Sequence, residues 1–323
     1  MVRRVFINSH HILSMQVYRN TDVLPLFRNA VLTIGTFDGV HTGHQQVIAQ
    51  MKKEAAQIQG ETVIITFDPH PRTVINAASG IRLLNTTEEK TELLSEKGID
   101  NLVIVPFTEE FAQLSAEDYI GRFLVRNFHP HTIIIGYDHH FGKGRTGNYE
   151  LLKKSSEIHH YRLKEIPAHV LDSISVSSTR IREAISAGSM DIANTLLGYT
   201  FFFSGIVTEG NKLGRTIGYP TANLRINDPY KLIPADAVYA VDAVVSDEPG
   251  IRLKGMMNIG YRPTVDGSKK MIEVNLFDFD GQIYGKTLKV FVKKYLRAEQ
   301  RFSGLDALKE QLGVDRQDAL GGD

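Results

Sequence analysis

The apolar residues of this 323-residue chain keep one rhythm up to residue 186 and another beyond it, so no single repeating layer accommodates them all. In the first stretch, strand-like runs at Val31–Ile34, Thr62–Phe67, Leu102–Val105, Thr132–Ile135 and Tyr161–Ile166 alternate with helical signals. Helices are expected from Gly43, with apolar residues at Val47, Ile48, Met51, Ala55 and Ile58, and from the capping box Thr86-Thr87-Glu88-Glu89 through Lys97. Two more are expected from Ser115-Ala116-Glu117-Asp118 toward Arg126 and over Tyr149–Ile158. Such alternation predicts a parallel sheet covered by helices, with ligands at the carboxyl ends of its strands.

In the second stretch, Phe201–Val207, Val238–Val245, Lys254–Ile259, Met271–Phe277 and Leu288–Val292 read as strands, and Asp280-Gly281 reads as a hairpin turn between the last two. That density of short strands predicts a small closed or nearly closed barrel. A terminal helix follows, capped by Ser303 with Asp306, striped by Leu305, Leu308 and Leu312 and ended by Gly313, with a frayed tail beyond. The chain is thus expected to hold an α/β domain over residues 15–186 and an all-β barrel with a C-terminal helix over residues 187–313, joined within Ile181–Gly198. Residues Met1–Ser14 precede the first fold signal, and their role is not written in the sequence.

Charge excludes several functions. Lys plus Arg equals Asp plus Glu at 37 each, so no global basic field drives nonspecific nucleic-acid or membrane-surface binding, and anion sites must be local. No cysteine is present, which removes disulfides, thiolate zinc sites and cysteine nucleophiles. Arg3 and Arg4 precede a run broken by Asn8, Ser9, His10 and His11, too polar for a signal-peptide core. A cytoplasmic chain without nucleic-acid or membrane partners is expected; self-association is left open.

The strand Val31–Ile34 hands over to a helix through Gly35-Thr36-Phe37-Asp38-Gly39-Val40-His41-Thr42-Gly43-His44. A helix start presents unpaired N–H groups and the positive end of its dipole, and two imidazoles beside it add donors, so this turn is suited to phosphate. Val176-Ser177-Ser178-Thr179-Arg180-Ile181-Arg182 sets three hydroxyls beside two guanidiniums that can bind phosphate oxygens bidentately; its plain alternative is an N-cap followed by surface arginines. Phe67-Asp68-Pro69-His70-Pro71 and Gly136-Tyr137-Asp138-His139-His140-Phe141-Gly142 lie at two further strand ends. Neither His139-His140 nor His159-His160 makes a zinc site, because adjacent histidines do not readily face one ion and no ordered carboxylate set accompanies them.

In the β-rich part, the loop Gly210-Asn211-Lys212-Leu213-Gly214-Arg215-Thr216-Ile217-Gly218-Tyr219 runs into Pro220-Thr221-Ala222-Asn223. A glycine-punctuated loop can cover phosphates. A hydroxyl and a carboxamide two residues apart on an extended segment can point the same way and ligate magnesium alongside ATP oxygens. In Ile272-Glu273-Val274-Asn275-Leu276, alternation sets Glu273 and Asn275 opposite the apolar face.

The string around His41 and His44 resembles the signature of the nucleotidyltransferase superfamily, and with S-S-T-R-I-R over Ser177–Arg182 it resembles the bacterial flavin adenylyltransferases. G-R-T-I-G-Y-P-T-A-N over Gly214–Asn223 resembles the riboflavin kinase signature. With motifs from Gly35 to Phe302, the whole chain resembles the bacterial bifunctional riboflavin kinase/FAD synthetases. The resemblance implies a Rossmann-like nucleotidyltransferase domain followed by a kinase barrel, ATP with magnesium, and riboflavin, FMN and FAD as substrates and products.

By resemblance, His41, His44 and Arg182 are catalytic in adenylyl transfer, and Gly35, Phe37, Asp38, Gly39, Asp68, His70, Asp138, Ser177, Ser178 and Thr179 bind nucleotide or flavin. Glu273 is the base of the kinase; Thr221 and Asn223 hold the metal; Gly210, Lys212, Gly214, Arg215, Gly218, Pro220 and Arg297 bind its substrates. The chain departs from the family at His139-His140, where an aromatic residue and often an arginine stand, and at Ala237, where a glycine precedes V-Y-A. The alternatives are a single live adenylyltransferase with an inactive flavin-binding barrel, and a flavin-binding regulator. A class I aminoacyl-tRNA synthetase shares the histidine signature but requires a K-M-S-K-S-like loop that is not visible.

Overall fold

The computed structural model describes residues 15–76, 78, 80–137, 139–166, 176–210, 213–248, 250–264 and 267–321. The chain divides into two compact units, residues 1–81 with 90–175, and residues 82–89 with 176–323.

The first unit is built on a six-stranded sheet of β1 (Gln16–Tyr18), β2 (Val31–Ile34), β3 (Thr62–Asp68), β4 (Asn101–Pro106), β5 (Thr132–Gly136) and β6 (Arg162–Ile166). Their order is β1-β4-β3-β2-β5-β6, and every pairing is parallel. β2 to β5 are almost wholly buried, as expected of strands covered on both faces. The expected helices are present. Ser115 accepts from the Asp118 N–H, and Asn148 caps Tyr149–His159 by accepting from Leu151. The helix after Ser115 winds as a π-helix over Tyr119–Val125, which periodicity did not anticipate.

One buried charge also departs from the expected helical stripe. Ile58 is only partly buried, whereas Glu54 is 3 % exposed, hydrogen-bonded by Lys164 of β6 and Thr132 of β5. Lys164 above all holds its carboxyl below the usual range. That ion pair locks the helix Thr42–Ile58 to the sheet.

The second unit is a closed antiparallel barrel of β7 (Phe202–Thr208), β8 (Ala222–Arg225), β9 (Ala237–Val245), β10 (Leu253–Thr264), β11 (Gly267–Leu276) and β12 (Thr287–Arg297), in the order β10-β11-β8-β7-β12-β9. The hairpin expected at Asp280-Gly281 is absent, because β8 and β7 stand between β11 and β12. Ala237 opens β9 fully buried and outside the positive-φ residues, so its methyl group fits.

The helices Ser178–Ser186 and Met190–Leu197 bury Ile181, Ile185, Met190 and Leu197 in the same core as Phe201, Tyr239 and Val290, so they pack with the barrel. Residues 82–89 join that core through Leu84. Lys231 secures them: its ammonium, 1 % exposed, donates to Glu89 Oε2 (2.6 Å), Leu84 O (2.6 Å) and Phe202 O (2.9 Å).

The terminal helix runs over Leu305–Leu320 and is not ended by Gly313; its N-cap is Gly304, without the side-chain cap expected from Ser303. Beyond Gly313 it is held by Asp315, 1 % exposed, which receives both Nε and Nη2 of Arg297 at 2.7 Å and Gln311 Nε2 at 3.0 Å. Removing one partner strands the other charge. Asp315→Asn is expected to cost about 2 kcal/mol, read as a lower denaturant midpoint for the barrel.

Candidate functional sites

In the first unit β2 lies between β3 and β5, and the chain proceeds to opposite sides from there. A crevice opens at the carboxyl ends of strands at such a switch point. Gly35–His41 leaves β2 there, Asp68-Pro69-His70 leaves β3 through a cis Asp68–Pro69 peptide, and Gly136 ends β5.

The turn after β2 is strained: Phe37 (φ 48°), Gly39 (φ 89°) and Val40 (φ 37°) all lie at positive φ, where a β-branched residue is a genuine outlier. His41 caps the following helix, its Nδ1 accepting from the His44 N–H at 3.4 Å. That bond assigns the His41 proton to Nε2. The His41 and His44 rings stack at 3.7 Å, and Phe37 lies 4.8 Å from His44. A Cβ on Gly43 would come within 3.2 Å of the His41 ring, so glycine in H-x-G-H keeps the stack open.

Burial, then His41 and Lys90, hold His44 well below the ordinary histidine value of 6.5, so it is neutral at pH 7. The unfolded chain protonates His44 near that value and the folded turn resists, so acidification favours unfolding. This contribution to stability is complete above pH 6.5 and falls progressively below it. Denaturant titrations of the first unit at neutral and mildly acid pH should show a loss that His44→Gln reduces.

Asp38 is 2 % exposed, and Asp68 lies 3.6 Å from Arg19. His70 caps the short helix Pro71–Ile75 by accepting from the Arg72 N–H at 3.1 Å. Asp138 and Lys212 lie outside the described residues. The residue that pattern-reading missed is Lys90, 6 % exposed, whose Nζ donates to Thr66 Oγ1 at 3.3 Å. The available signal was a lysine on the face that also carries Leu93 and Leu94.

Ser177–Arg182 belongs to the second unit, so it and the histidine turn are built by different cores. Ser177 is the N-cap, accepting from the Arg180 N–H at 3.2 Å, as the plain alternative had it. Ser178 and Thr179 stand in the first helical turn, and Arg182 donates through Nε to Arg82 O at 2.7 Å.

On the barrel, Asn223 of β8 pairs in register with Glu273 of β11, and Glu273 with Asn258 of β10, so the three form one row. Ile272 and Val274 point into the core, as alternation required. Asn223 is 6 % exposed, and its Oδ1 is buried without a hydrogen-bond partner among the described residues. A buried acceptor left unsatisfied is costly and calls for an occupant.

Gly210, Arg215, Pro220, Thr221 and Tyr284 line a pocket with Asn223, and Leu213–Thr216 forms a short helix in which Gly214 and Arg215 lie, followed by Gly218. Asn275, which alternation set beside Glu273, donates to Pro220 O at 2.7 Å and ties this segment to β11. Arg297 spends its fork on Asp315 and thereby positions the terminal helix.

The donor set suits a hard cation. Asn223 Oδ1 and the Thr221 hydroxyl are neutral oxygens of the kind magnesium takes alongside phosphate oxygens. Among the described residues no three His, Asp or Glu side chains gather into a metal cluster. At Gly210 a Cβ would meet Asn223 Nδ2 at 2.0 Å, so Gly210→Ala must displace the carboxamide. Phosphoryl transfer by that variant is expected to fall roughly tenfold, with its magnesium requirement shifted to higher concentration.

Residues 25–180 match the family model described as FAD synthetase, and residues 197–321 the one described as riboflavin kinase. The bifunctional riboflavin kinase/FMN adenylyltransferase of Listeria monocytogenes is 39% identical over 292 residues, covering 90% of this chain and 91% of that protein. Its Escherichia coli counterpart is 35% identical over 286 residues, covering 88% and 90%. A crystal structure from Streptococcus pneumoniae described as a macrolide-efflux protein shares the fold with a TM-score of 0.86 and 30% identity, covering 96% of this chain and 99% of that one. In this chain, no helix among the described residues is long and apolar enough to cross a membrane.

Proposed function

This chain belongs to the bifunctional riboflavin kinase/FMN adenylyltransferase family, and we propose that its two constellations divide the two reactions between them. The enzyme phosphorylates riboflavin with ATP to FMN and adenylylates FMN with a second ATP to FAD and pyrophosphate.

In the barrel, Glu273 accepts the proton of the riboflavin hydroxyl as it attacks the γ-phosphate. Thr221 and Asn223 hold magnesium, which when bound neutralises charge on the phosphates. Gly210, Lys212, Gly214, Arg215, Gly218 and Pro220 cover ATP, and Arg297 orders the flavin side. The single observation that carries this assignment is the buried Asn223 Oδ1, unpartnered among the described residues, on a residue in register with Glu273.

In adenylyl transfer the FMN phosphate is already a nucleophile, so no protein base is required. Negative charge builds on the α-phosphate and the departing pyrophosphate, and preorganised donors stabilise it. His41 and His44 serve there as donors. Ser177, Ser178, Thr179 and Arg182 carry hydroxyls, first-turn N–H groups and a guanidinium of the kind that binds phosphate. Gly35, Phe37, Asp38 and Gly39 shape the nucleotide turn, and Asp68, His70 and Asp138 are assigned to flavin binding. The reactions take place in the cytoplasm, where ATP is available, and the partners are the small-molecule substrates.

Purified protein incubated with riboflavin, ATP and magnesium should yield FMN first and FAD later. FMN alone would leave only the kinase, and no phosphorylated flavin would overturn both assignments.

A further inference from the structure

The helix Thr87–Glu96 turns Lys90, Leu93 and Leu94 to its buried face. A lysine among leucines on a covered face is unfavourable unless its charge is answered, since burial removes the hydration of the ammonium. Here Asp38 and Asp68 answer it, favouring the charged form against the opposing effect of burial.

Its Nζ donates to Thr66 Oγ1 at 3.3 Å, and Thr66 Oγ1 donates onward to Thr36 O at 3.1 Å. Thr36 is the residue at which the chain enters the strained turn. Positive φ at Phe37 and Val40 persists only where surrounding structure over-determines it. On the far side Gln45 Nε2 holds Val40 O at 2.9 Å. On the near side the relay from Lys90 holds Thr36, and Asp38 of the same turn favours the charged form of that ammonium. Lys90 also acts electrostatically on His44, which His41 and Phe37 enclose.

We propose that Lys90 is a positioning residue of adenylyl transfer: its buried ammonium, relayed through Thr66 to the Thr36 carbonyl, holds the strained turn that presents His41 and His44 to the phosphates. The inference rests on assigning adenylyl transfer to the histidine turn. Lys90 touches no reacting atom, so its loss misplaces donors rather than removing one. Misplacement by about an ångström lowers rate on the order of 100-fold.

The test uses the full chain, whose kinase reaction reports folding in the same tube. Lys90→Met is expected to lower kcat for FMN-to-FAD conversion roughly 100-fold, with KM for ATP little changed and riboflavin phosphorylation intact. The chain contains no cysteine, so Lys90→Cys introduces a unique thiol. Alkylating it in denaturant with bromoethylamine and refolding restores an ammonium at nearly the length of lysine, while iodoacetamide installs a neutral group. Only the aminoethylated chain should regain adenylylation, and both should regain kinase turnover.

Wild-type adenylylation in Lys90→Met overturns the proposal, as does a parallel loss of both activities. It is also overturned by an aminoethylated chain that recovers kinase but not adenylylation. If the unmodified chain made no FAD from FMN, the assignment itself would fall, and the inference with it.

Discussion

His44→Ala is expected to stall at FMN: riboflavin phosphorylation continues at its normal rate, while FAD formation drops on the order of 10³-fold. The size follows from where the imidazole stands. It is neutral and enclosed between His41 and Phe37 at the start of a 17-residue helix. A preorganised donor in such surroundings stabilises developing phosphate charge far better than one free to be solvated. The alanine leaves the His44 N–H that His41 accepts, so the helix cap survives. Separation of FMN from FAD by chromatography, with riboflavin and then FMN as the starting flavin, measures both rates. Equal loss of both activities would show that one site serves both reactions.

The second large effect is the mirror image. Glu273→Gln is expected to lower riboflavin phosphorylation on the order of 10³-fold while supplied FMN is still converted to FAD. Glutamine keeps the shape of the side chain on β11 between Asn223 and Asn258, so the barrel row is retained. It removes only the capacity to accept the proton of the attacking hydroxyl. A variant with normal kcat and a raised KM would instead make Glu273 a binding residue, and the base would have to be sought elsewhere.

Much of the backbone that carries the candidate sites was legible because it is local. The turn Gly35–His44, the Pro220–Asn223 segment and Glu273 each sit in a strand or strand-to-helix junction that period and turn residues identify, and the structure builds those elements. The capping box also held: Thr86 N–H reaches Glu89 Oε2 at 3.0 Å and Glu89 N–H reaches Thr86 Oγ1 at 3.2 Å. Asp280-Gly281 misled for a physical reason. A turn dipeptide reports the local backbone and says nothing about which strand is the hydrogen-bond neighbour, and here β11 pairs with β8 and β10. Gly313 misled similarly, since the helix beyond it is held by Arg297 acting on Asp315 from a distant strand.

Residue types and spacing alone determined the α/β and all-β rhythms, the strand-to-helix turn that carries His41 and His44, and the polar face of β11, because each depends on neighbours within a few residues. Only the tertiary structure decided that residues 82–89 belong with the barrel, that Glu54 and Lys231 are buried charges with partners more than a hundred residues away, and that Lys90 is buried against Thr66. A buried charge is tolerated only where folding brings its partner to it, and that meeting of distant segments leaves no periodic trace in the chain.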